Sequence, residues 1–277
     1  MLKIVTLMEN KSSKNRALVP AHGLSFYIEF NNKKYLFDCG PDEKFIENAL
    51  NLGIDLNNLN GVIISHSHFD HGGGYRKLLD NKYLHKYLYT GESFFERKYN
   101  SKNNTAFTDM SCGISEHLLN EYNIVNIKCS DTLKIDNNMY IAGNFKRTFP
   151  FEIIPEKFVK LCNDDIRKDD FSDEICLVFK TSCGLVVIVG CSHPGIVNML
   201  NDIKDRFGEK IYAVYGGTHL MDANDLRISE TIKSLKSMGV KILGLCHCTG
   251  EYAENILIND RSINSCHISV GDTVFIK

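Results

Sequence analysis

The stretch that decides the fold is 65-SHSHFDHGGG-74, in the first third of a chain of 277 residues. It brings three imidazoles and one carboxylate together within six residues: His66, His68, Asp70 and His71. In an extended segment, residues i and i+2 point to the same side, so His66 and His68 can bind one ion. A turn in the middle of the motif then presents Asp70 and His71 to a second ion. Mixed imidazole and carboxylate ligands favour zinc, iron or manganese over calcium.

A solvated loop with incidental histidines is the alternative interpretation of this motif. We do not favour it, because clustering so many imidazoles without a binding partner would be costly. The glycines that follow, Gly72, Gly73 and Gly74, allow tight backbone passage and unusual dihedral angles. The motif therefore predicts a metal site where a short buried strand, residues 62–64, ends.

Other strand-like segments also lead into histidines. In the last third of the chain, residues 185–189 lead into His193, residues 211–215 into His219, and residues 240–245 into His247. Strand ends are where a rigid scaffold places functional side chains. His219 could donate to a phosphate or act as a general acid, although a satisfied buried histidine is an equal alternative.

The segment pattern predicts an α/β fold. Strands are expected at residues 2–7, 24–30 and 34–37, with Asn31 and Asn32 forming a hairpin turn between the last two. A helix is expected at 42–52, and the last third repeats this logic with helices at 196–207 and 226–238. Two β-rich halves, each with helices, indicate a four-layer αββα sandwich formed by one domain, residues 1–277. The polar stretches 95–120 and 150–172 are expected to be irregular, lid-like loops.

Composition narrows the function classes. The formal net charge is −2, from 32 basic and 34 acidic residues, and no basic stripe suggests a nucleic-acid partner. No apolar run approaches the roughly 18 residues of a membrane span. The N-terminus has no signal-peptide pattern, so we expect a cytoplasmic protein whose ten cysteines are reduced and mostly buried. The sequence does not indicate an oligomeric state.

The motif His66-x-His68-x-Asp70-His71 resembles the H-x-H-x-D-H signature of the metallo-β-lactamase superfamily, and the resemblance runs through nearly the whole chain. More narrowly, five segments look like the branch labelled 7,8-dihydropterin-6-yl-methyl-4-(β-D-ribofuranosyl)aminobenzene 5′-phosphate synthase-like. They are 23-GLS-25, 36-LFDCG-40, 190-GCSH-193, 216-GGTHL-220 and 246-CHCTG-250.

The resemblance implies a role for each matching position. His66 and His68 would bind the first metal, Asp70 and His71 the second, and His247 would complete the second site. Asp38 would hold a ligand histidine by a hydrogen bond and so fix its orientation. A simple turn cap is the alternative for Asp38.

The chain departs from the superfamily pattern at two positions, a bridging aspartate and an upstream first-site histidine, neither of which it supplies. Cysteine stands at Cys191, where a bridging aspartate is usual, and it could be a soft thiolate ligand or merely a small buried residue. His193 is the candidate for the missing first-site histidine. His22 lies next to Gly23 and could also reach the cleft. The remaining histidines are expected to be surface or core residues: His85, His117 and His267.

These residues together predict a metal-dependent hydrolase that acts on a small, phosphorylated molecule. Two divalent ions are expected, zinc first, with iron or manganese as alternatives. They would lower the pKa of a bound water, and Asp70 would orient that nucleophile. The alternatives are a synthase-like transferase, in which metal stabilises a phosphate or diphosphate leaving group, and a non-catalytic metal or ligand sensor. An iron oxidoreductase would need an electron donor, and we do not favour it because we expect no appended flavin domain.

Overall fold

The computed structural model describes residues 1–11, 13–103 and 105–277. The strands are β1 Leu2–Met8, β2 Ser25–Phe30, β3 Lys33–Phe37, β4 Gly61–Ile63, β5 Tyr87–Gly91, β6 Arg97–Lys102, β7 Ala106–Asp109, β8 Val125–Cys129, β9 Thr132–Asp136, β10 Met139–Gly143, β11 Phe158–Cys162, β12 Asp165–Lys168, β13 Ile175–Thr181, β14 Gly184–Ile188, β15 Ile211–Gly216, β16 Ile242–Leu245, β17 Asn264–His267 and β18 Thr273–Ile276. The helices are α1 Lys44–Asn51, α2 Phe69–Gly72, α3 Tyr75–Asp80, α4 Glu116–Glu121, α5 Ile196–Phe207, α6 Asp225–Ser237 and α7 Glu251–Asn259, with a 3-10 turn at His247–Thr249.

Backbone contacts divide the chain into two compact units. The first unit comprises Met1–Lys128, Pro155–Asp173 and Ser269–Lys277, and the second comprises Cys129–Ile154 and Glu174–Ile268. The organisation of residues 1–277 as one domain stays a prediction. The segments predicted in the first and last thirds of the sequence agree with the observed elements to within about two residues.

The first unit contains a sheet of order β18-β1-β2-β3-β4-β5-β8. Its β2–β3 hairpin turns at Asn31 and Asn32, as predicted, and both have positive φ, a conformation that asparagine tolerates. Helix α1 buries Phe45 and Ile46 in a core that also receives α3 and α4. This apolar face, with its 3.6-residue period, is the signal that made the helix predictable.

A second, four-stranded sheet of the first unit, of order β12-β11-β6-β7, corrects the sequence prediction. Its strands occupy the polar stretches at 95–120 and 150–172 that were expected to be irregular loops. The reason is visible in the burial pattern, because β7 and β12 are exposed along their whole length. Without a buried face, the residues show no alternation of apolar and polar side chains.

The second unit contains a sheet of order β17-β16-β15-β14-β13-β10-β9. Strands β14, β15, β16 and β17 run parallel, joined in part by α5, α6 and α7. The three helices pack on the sheet through one apolar core, which includes Ile203, Ile232 and Leu257. Helix α5 ends at Gly208, whose φ is +65°, and Asn224 caps the start of α6 by accepting from the Arg227 N–H at 2.9 Å.

Two global expectations can be compared with the described part of the chain. No helix there is long and apolar enough to cross a membrane. No disulfide joins any of the ten cysteines, and six of them are buried, as expected of small apolar side chains in a core.

Candidate metal centre

Parallel strands bring the histidine motif and Asp38 to the same edge of the first unit's sheet. Strands β3 and β4 are parallel neighbours, so the residues that follow them emerge side by side. Asp38 comes directly after β3, and His66 comes three residues after β4. The strand order therefore explains why residues far apart in sequence meet at this edge.

The three histidines of the motif form a compact buried cluster. The ring centroids of His66 and His68 are 4.7 Å apart, and those of His66 and His71 are 4.2 Å apart. His66 and His71 are fully buried, and 4% of His68 is exposed. Asp70 and His71 lie on the short helix α2, which begins directly after His68, a residue with extended backbone. The structure thus places the four predicted ligands of the motif within one unit and close together.

Asp38 contacts this cluster through the imidazole ring of His71. Its Oδ2 lies 2.7 Å from Nδ1 of His71, and it also accepts from the Ser65 hydroxyl at 2.8 Å. Its Oδ1 accepts from the Ser65 N–H at 2.7 Å. With Nδ1 of His71 engaged by a carboxylate, Nε2 is the ring nitrogen that can act as a metal ligand. Carboxylate–histidine pairs of this kind fix both the tautomer and the orientation of a ligand.

Asp70 links the cluster to a more exposed histidine. Its Oδ2 lies 3.3 Å from Nε2 of His22 and 3.8 Å from Nε2 of His71. The His22 side chain is about half exposed, whereas that of Asp70 is 8% exposed. The sequence suggested that His22 could reach this region, and the structure places it beside Asp70.

Burial favours the neutral form of the imidazoles. Loss of hydration lowers the pKa of His66 well below its ordinary value, and neighbouring His71 and His68 lower it further. Burial also lowers the pKa of His68 to about 3. Neutral imidazole is the form that binds metal, so these histidines need not lose a proton before binding a cation near neutral pH.

A buried charge network holds the centre of the motif. Asp173 Oδ2 accepts from both the N–H and the hydroxyl of Ser67, at 2.9 and 3.0 Å. Its Oδ1 pairs with Nζ of Lys98 at 2.8 Å, and Lys98 also contacts Asp169. Burial opposes the charge on Lys98, but Asp173 and Asp169 outweigh it and raise the lysine pKa. Lys98 lies on β6, so the sheet that the sequence did not predict carries a residue of this network.

The glycines after the motif allow other backbone segments to pack closely against them. A Cβ on Gly73 would lie 2.5 Å from the Phe69 carbonyl oxygen, and one on Gly74 would lie 2.3 Å from that of Cys39. Their φ values are −60° and −75°, ordinary for helical residues. The prediction of tight backbone passage is therefore correct, whereas the prediction of unusual dihedral angles is wrong at these two positions.

The second unit gathers its own candidate residues at one sheet edge. Strands β14, β15 and β16 are parallel, so the residues beyond their C-terminal ends emerge together. His193 and His219 follow β14 and β15, and their ring centroids are 4.3 Å apart. Both are at least 92% buried. Glu174, which is fully buried, accepts from the Ser192 N–H and, at 2.8 Å, from the His193 N–H.

The loop after β16 completes this edge. Suitable donor atoms of Cys191, His247 and Cys248 all lie within 4.8 Å of one another, and all three residues are buried. His247 has φ +51° and His219 has φ +48°, a left-handed conformation that is uncommon for residues other than glycine. Backbone strain of this kind concentrates at functional sites.

The remaining histidines lie where the sequence analysis expected surface or core residues. His85 is buried, and its Nε2 is 2.9 Å from the Tyr75 hydroxyl. His117 is exposed on α4, and His267 pairs with Glu254 at 3.1 Å.

Sequence reasoning missed four residues of these two clusters: Lys98, Asp173, Glu174 and Cys248. The one available signal was the acidic pair 173-DE-174 directly before the apolar run of β13, because carboxylates beside a buried strand need partners. Cys248 directly follows Cys246 and His247, and only the turn after β16 decides which of these side chains point inward.

The donor set of the histidine cluster fits a divalent metal. It combines neutral imidazoles with the carboxylate of Asp70, and Asp38 orients one ligand from outside. This combination suits zinc, iron or manganese, as the motif predicted.

Comparisons with known proteins agree with this geometry. A model of the metallo-beta-lactamase superfamily matches residues 18–106. The chain is 32% identical over 268 residues to the 7,8-dihydropterin-6-methyl-4-(beta-D-ribofuranosyl)-aminobenzene-5'-phosphate synthase of Methanocaldococcus jannaschii, a match covering 94% of this chain and 91% of the synthase. It is 28% identical over 253 residues to an uncharacterized protein of the same organism, covering 90% of this chain and 91% of that protein.

Solved structures of metallo-β-lactamase fold proteins also match this chain. The crystal structure of a metal-dependent hydrolase of the β-lactamase superfamily matches with TM-score 0.84 and 30% identity, covering 100% of this chain and 99% of that one. A metallo-β-lactamase fold protein of Bacillus subtilis matches with TM-score 0.60 and 13% identity over 99% and 100% of the two chains, a likeness of fold alone. The predicted fold is confirmed, and the chain belongs to the metallo-β-lactamase superfamily.

Proposed function

We propose that this protein is a metal-dependent hydrolase that acts on a small phosphorylated molecule. The observation that carries the proposal is the buried cluster of His66, His68 and His71, in which Asp38 orients the third imidazole. Burying three clustered imidazoles and a carboxylate is costly for stability alone, and a bound cation offsets that cost. We propose two divalent ions, with zinc the first candidate. The assignment of His193 and His247 as further ligands stays a prediction from the sequence.

The chain's own residues would divide the work as follows. The histidines of the cluster would bind the metal, while Asp70, whose Oδ2 lies 3.3 Å from Nε2 of His22, would orient the attacking water and take up its proton. His219 would donate a hydrogen bond to a phosphate oxygen of the substrate. When bound, divalent ions supply an acidified water and a positive charge beside the phosphoryl oxygen.

A synthase-like transferase is the second candidate function, and the sequence match favours it. The M. jannaschii relative is named for making a phosphorylated pterin–aminobenzene compound, and the match spans nearly all of both chains. The metal-dependent hydrolase, at 30% identity, supports the first candidate in the same way. The synthase is named for a phosphate-bearing product, and the hydrolase is named for its dependence on metal.

The two candidates differ in what the reaction needs. A hydrolase releases product from a single phosphate ester or diester in water. A transferase would join the methylene carbon of a dihydropterin-6-ylmethyl diphosphate to a ribofuranosylaminobenzene phosphate, with diphosphate leaving and the nucleophile's proton passing to solvent. It would therefore release diphosphate only when both substrates are present. Zinc- or manganese-loaded protein should therefore be assayed with phosphate esters alone, and with the pterin and the aminobenzene separately and together.

The matched variants are His66→Ala and His117→Ala. His66 lies in the buried cluster, whereas His117 is an exposed histidine of the same unit. We expect His66→Ala to abolish turnover and His117→Ala to retain it. Unchanged turnover in His66→Ala would refute the metal role, and stoichiometric metal binding without turnover of any substrate would favour the sensor interpretation.

A further inference from the structure

Two cysteines and one histidine of the second unit form a cluster, of which the sequence singled out Cys191 and His247 but not Cys248. Suitable donor atoms of Cys191, His247 and Cys248 all lie within 4.8 Å of one another. At most 6% of any of the three residues is exposed. The cluster is assembled by topology, since Cys191 follows β14 and the other two residues follow β16.

The backbone around the cluster makes room for the sulfur of Cys248. A Cβ on Gly217 would lie 2.5 Å from Cys248 Sγ, so only glycine leaves the thiol in its place. The same thiol contacts the Cys191 carbonyl oxygen at 3.4 Å, which draws the loops after β14 and β16 together. The left-handed backbone of His247, with φ +51°, is strain that the bonding of a ligand can offset.

The spacing suits a small tetrahedral cation. With zinc–sulfur bonds of about 2.3 Å and zinc–nitrogen bonds of about 2.0 Å, tetrahedral donors lie roughly 3.5–3.8 Å apart. The donor atoms here lie within 4.8 Å of one another, so each separation exceeds that spacing by at most about 1 Å. Two cysteines and one histidine also leave a fourth position open, as in catalytic zinc sites of the Cys₂His type.

We propose that Cys191, Cys248 and His247 bind one zinc or ferrous ion through two thiolates and one imidazole. On binding, each thiol loses its proton to solvent and forms a sulfur–metal bond, with no change in oxidation state. Soft thiolate donors select zinc and iron over magnesium and calcium. The inference goes beyond the proposed function, because it assigns an ion to three residues of the second unit, whereas the proposed function was argued from the histidine cluster of the first unit.

Cobalt(II) substitution tests the proposal through a spectrum rather than through activity. Thiolate ligation gives an intense sulfur-to-cobalt charge-transfer band in the near ultraviolet, while imidazole and carboxylate ligation gives only visible d–d bands. The full chain should be loaded with cobalt under reducing, anaerobic conditions. We expect both kinds of band in the wild-type protein.

Variants assign the charge-transfer band to residues. Cys191→Ser and Cys248→Ser should each lose roughly half of it, because each removes one sulfur–metal bond. The double variant should lose it entirely while keeping d–d bands. Cys183→Ser is the matched control, because Cys183 is an exposed cysteine of the same unit, and it should keep the full band. Alanine replacements serve as a second set if a serine variant does not fold.

The possible outcomes of the cobalt experiment distinguish a failure of this inference from a failure of the proposed function. Visible d–d bands without a charge-transfer band, or a band unchanged in both cysteine variants, would overturn thiolate ligation and leave metal dependence intact. A chain that binds no cobalt at all would overturn both proposals.

Discussion

Asp173 Oδ2 accepts two hydrogen bonds from Ser67, one from its amide N–H at 2.9 Å and one from its hydroxyl at 3.0 Å. Ser67 is the residue between His66 and His68, so a single carboxylate fixes the middle of the ligand-bearing segment. The two residues are 106 positions apart in sequence. The adjacent residue, Glu174, holds the amides of Ser192 and His193 within the second unit. Two consecutive carboxylates thus each position a histidine-bearing loop.

We expect Asp173→Asn to weaken metal binding at the histidine cluster. The amide keeps only one acceptor oxygen and removes the charge that pairs with Lys98 Nζ at 2.8 Å. Loss of an outer partner of this type reduces metal affinity by roughly 10–100-fold. The measurement is zinc affinity by chelator competition, with Asp165→Asn as the control because Asp165 is exposed on β12. An Asp173→Asn zinc affinity equal to that of the wild type would show that the contact with Ser67 does not position the ligands.

Asp38→Asn should act on a single ligand. The carboxylate lies 2.7 Å from Nδ1 of His71, and an amide can present its NH₂ group there and favour the wrong tautomer. We expect zinc affinity to fall by roughly 10–100-fold. Asp42→Asn is the control, because Asp42 pairs with Lys44 in the same loop, where both side chains are partly exposed. Retained affinity in Asp38→Asn would favour the turn-cap interpretation of Asp38.

The Glu152 carboxyl should make stability depend on pH. It accepts from the N–H groups of Val197 and Asn198 at the start of α5, at 2.9 and 2.6 Å. Burial nevertheless raises its pKa from 4.5 to about 7, against these bonds and the nearby Arg227. Between these two values the folded chain holds a proton that the unfolded chain has lost. This contribution to the free energy of unfolding is therefore full below 4.5 and disappears as the pH rises toward 7.

Urea unfolding of wild type and Glu152→Gln, at about pH 5 and about pH 8, measures this contribution. The wild type should lose stability relative to the variant on going to the higher pH, because glutamine cannot ionise. A difference between the two proteins that is independent of pH would show that Glu152 is ionised in the folded state throughout this range.

The sequence was sufficient to predict those features whose signal lies within a short stretch of residues. The histidine motif, the hairpin at Asn31 and Asn32, and the amphipathic helices each lie within a short window, and each was predicted. Strands β14 and β15 are parallel, so the histidines that follow them emerge at the same edge of the sheet. His193 and His219 were selected because each follows a strand-like segment, and the parallel pairing of β14 and β15 explains why their rings lie together.

The sequence was insufficient where a residue acts through a distant partner. Lys98 lies in a polar strand whose exposed neighbours conceal it, and its partner Asp173 is 75 positions away. Its burial depends on the four-stranded sheet, which is held by cross-strand pairing and shows little apolar periodicity. Cys248 was missed for another reason, since the turn at His247–Thr249, and not the sequence pattern, points its sulfur toward Cys191.

The central claim is that the buried histidine cluster binds divalent metal, and metal content per chain tests it most directly. The protein should be purified without oxygen or added metal and examined by elemental analysis, beside His66→Ala and His117→Ala. We predict about two equivalents of metal in the wild type and in His117→Ala, as expected of a two-metal site, and a clear loss in His66→Ala. Wild-type protein that carries no stoichiometric metal and takes up none from added zinc, iron or manganese, or a metal content unchanged in His66→Ala, would contradict the account.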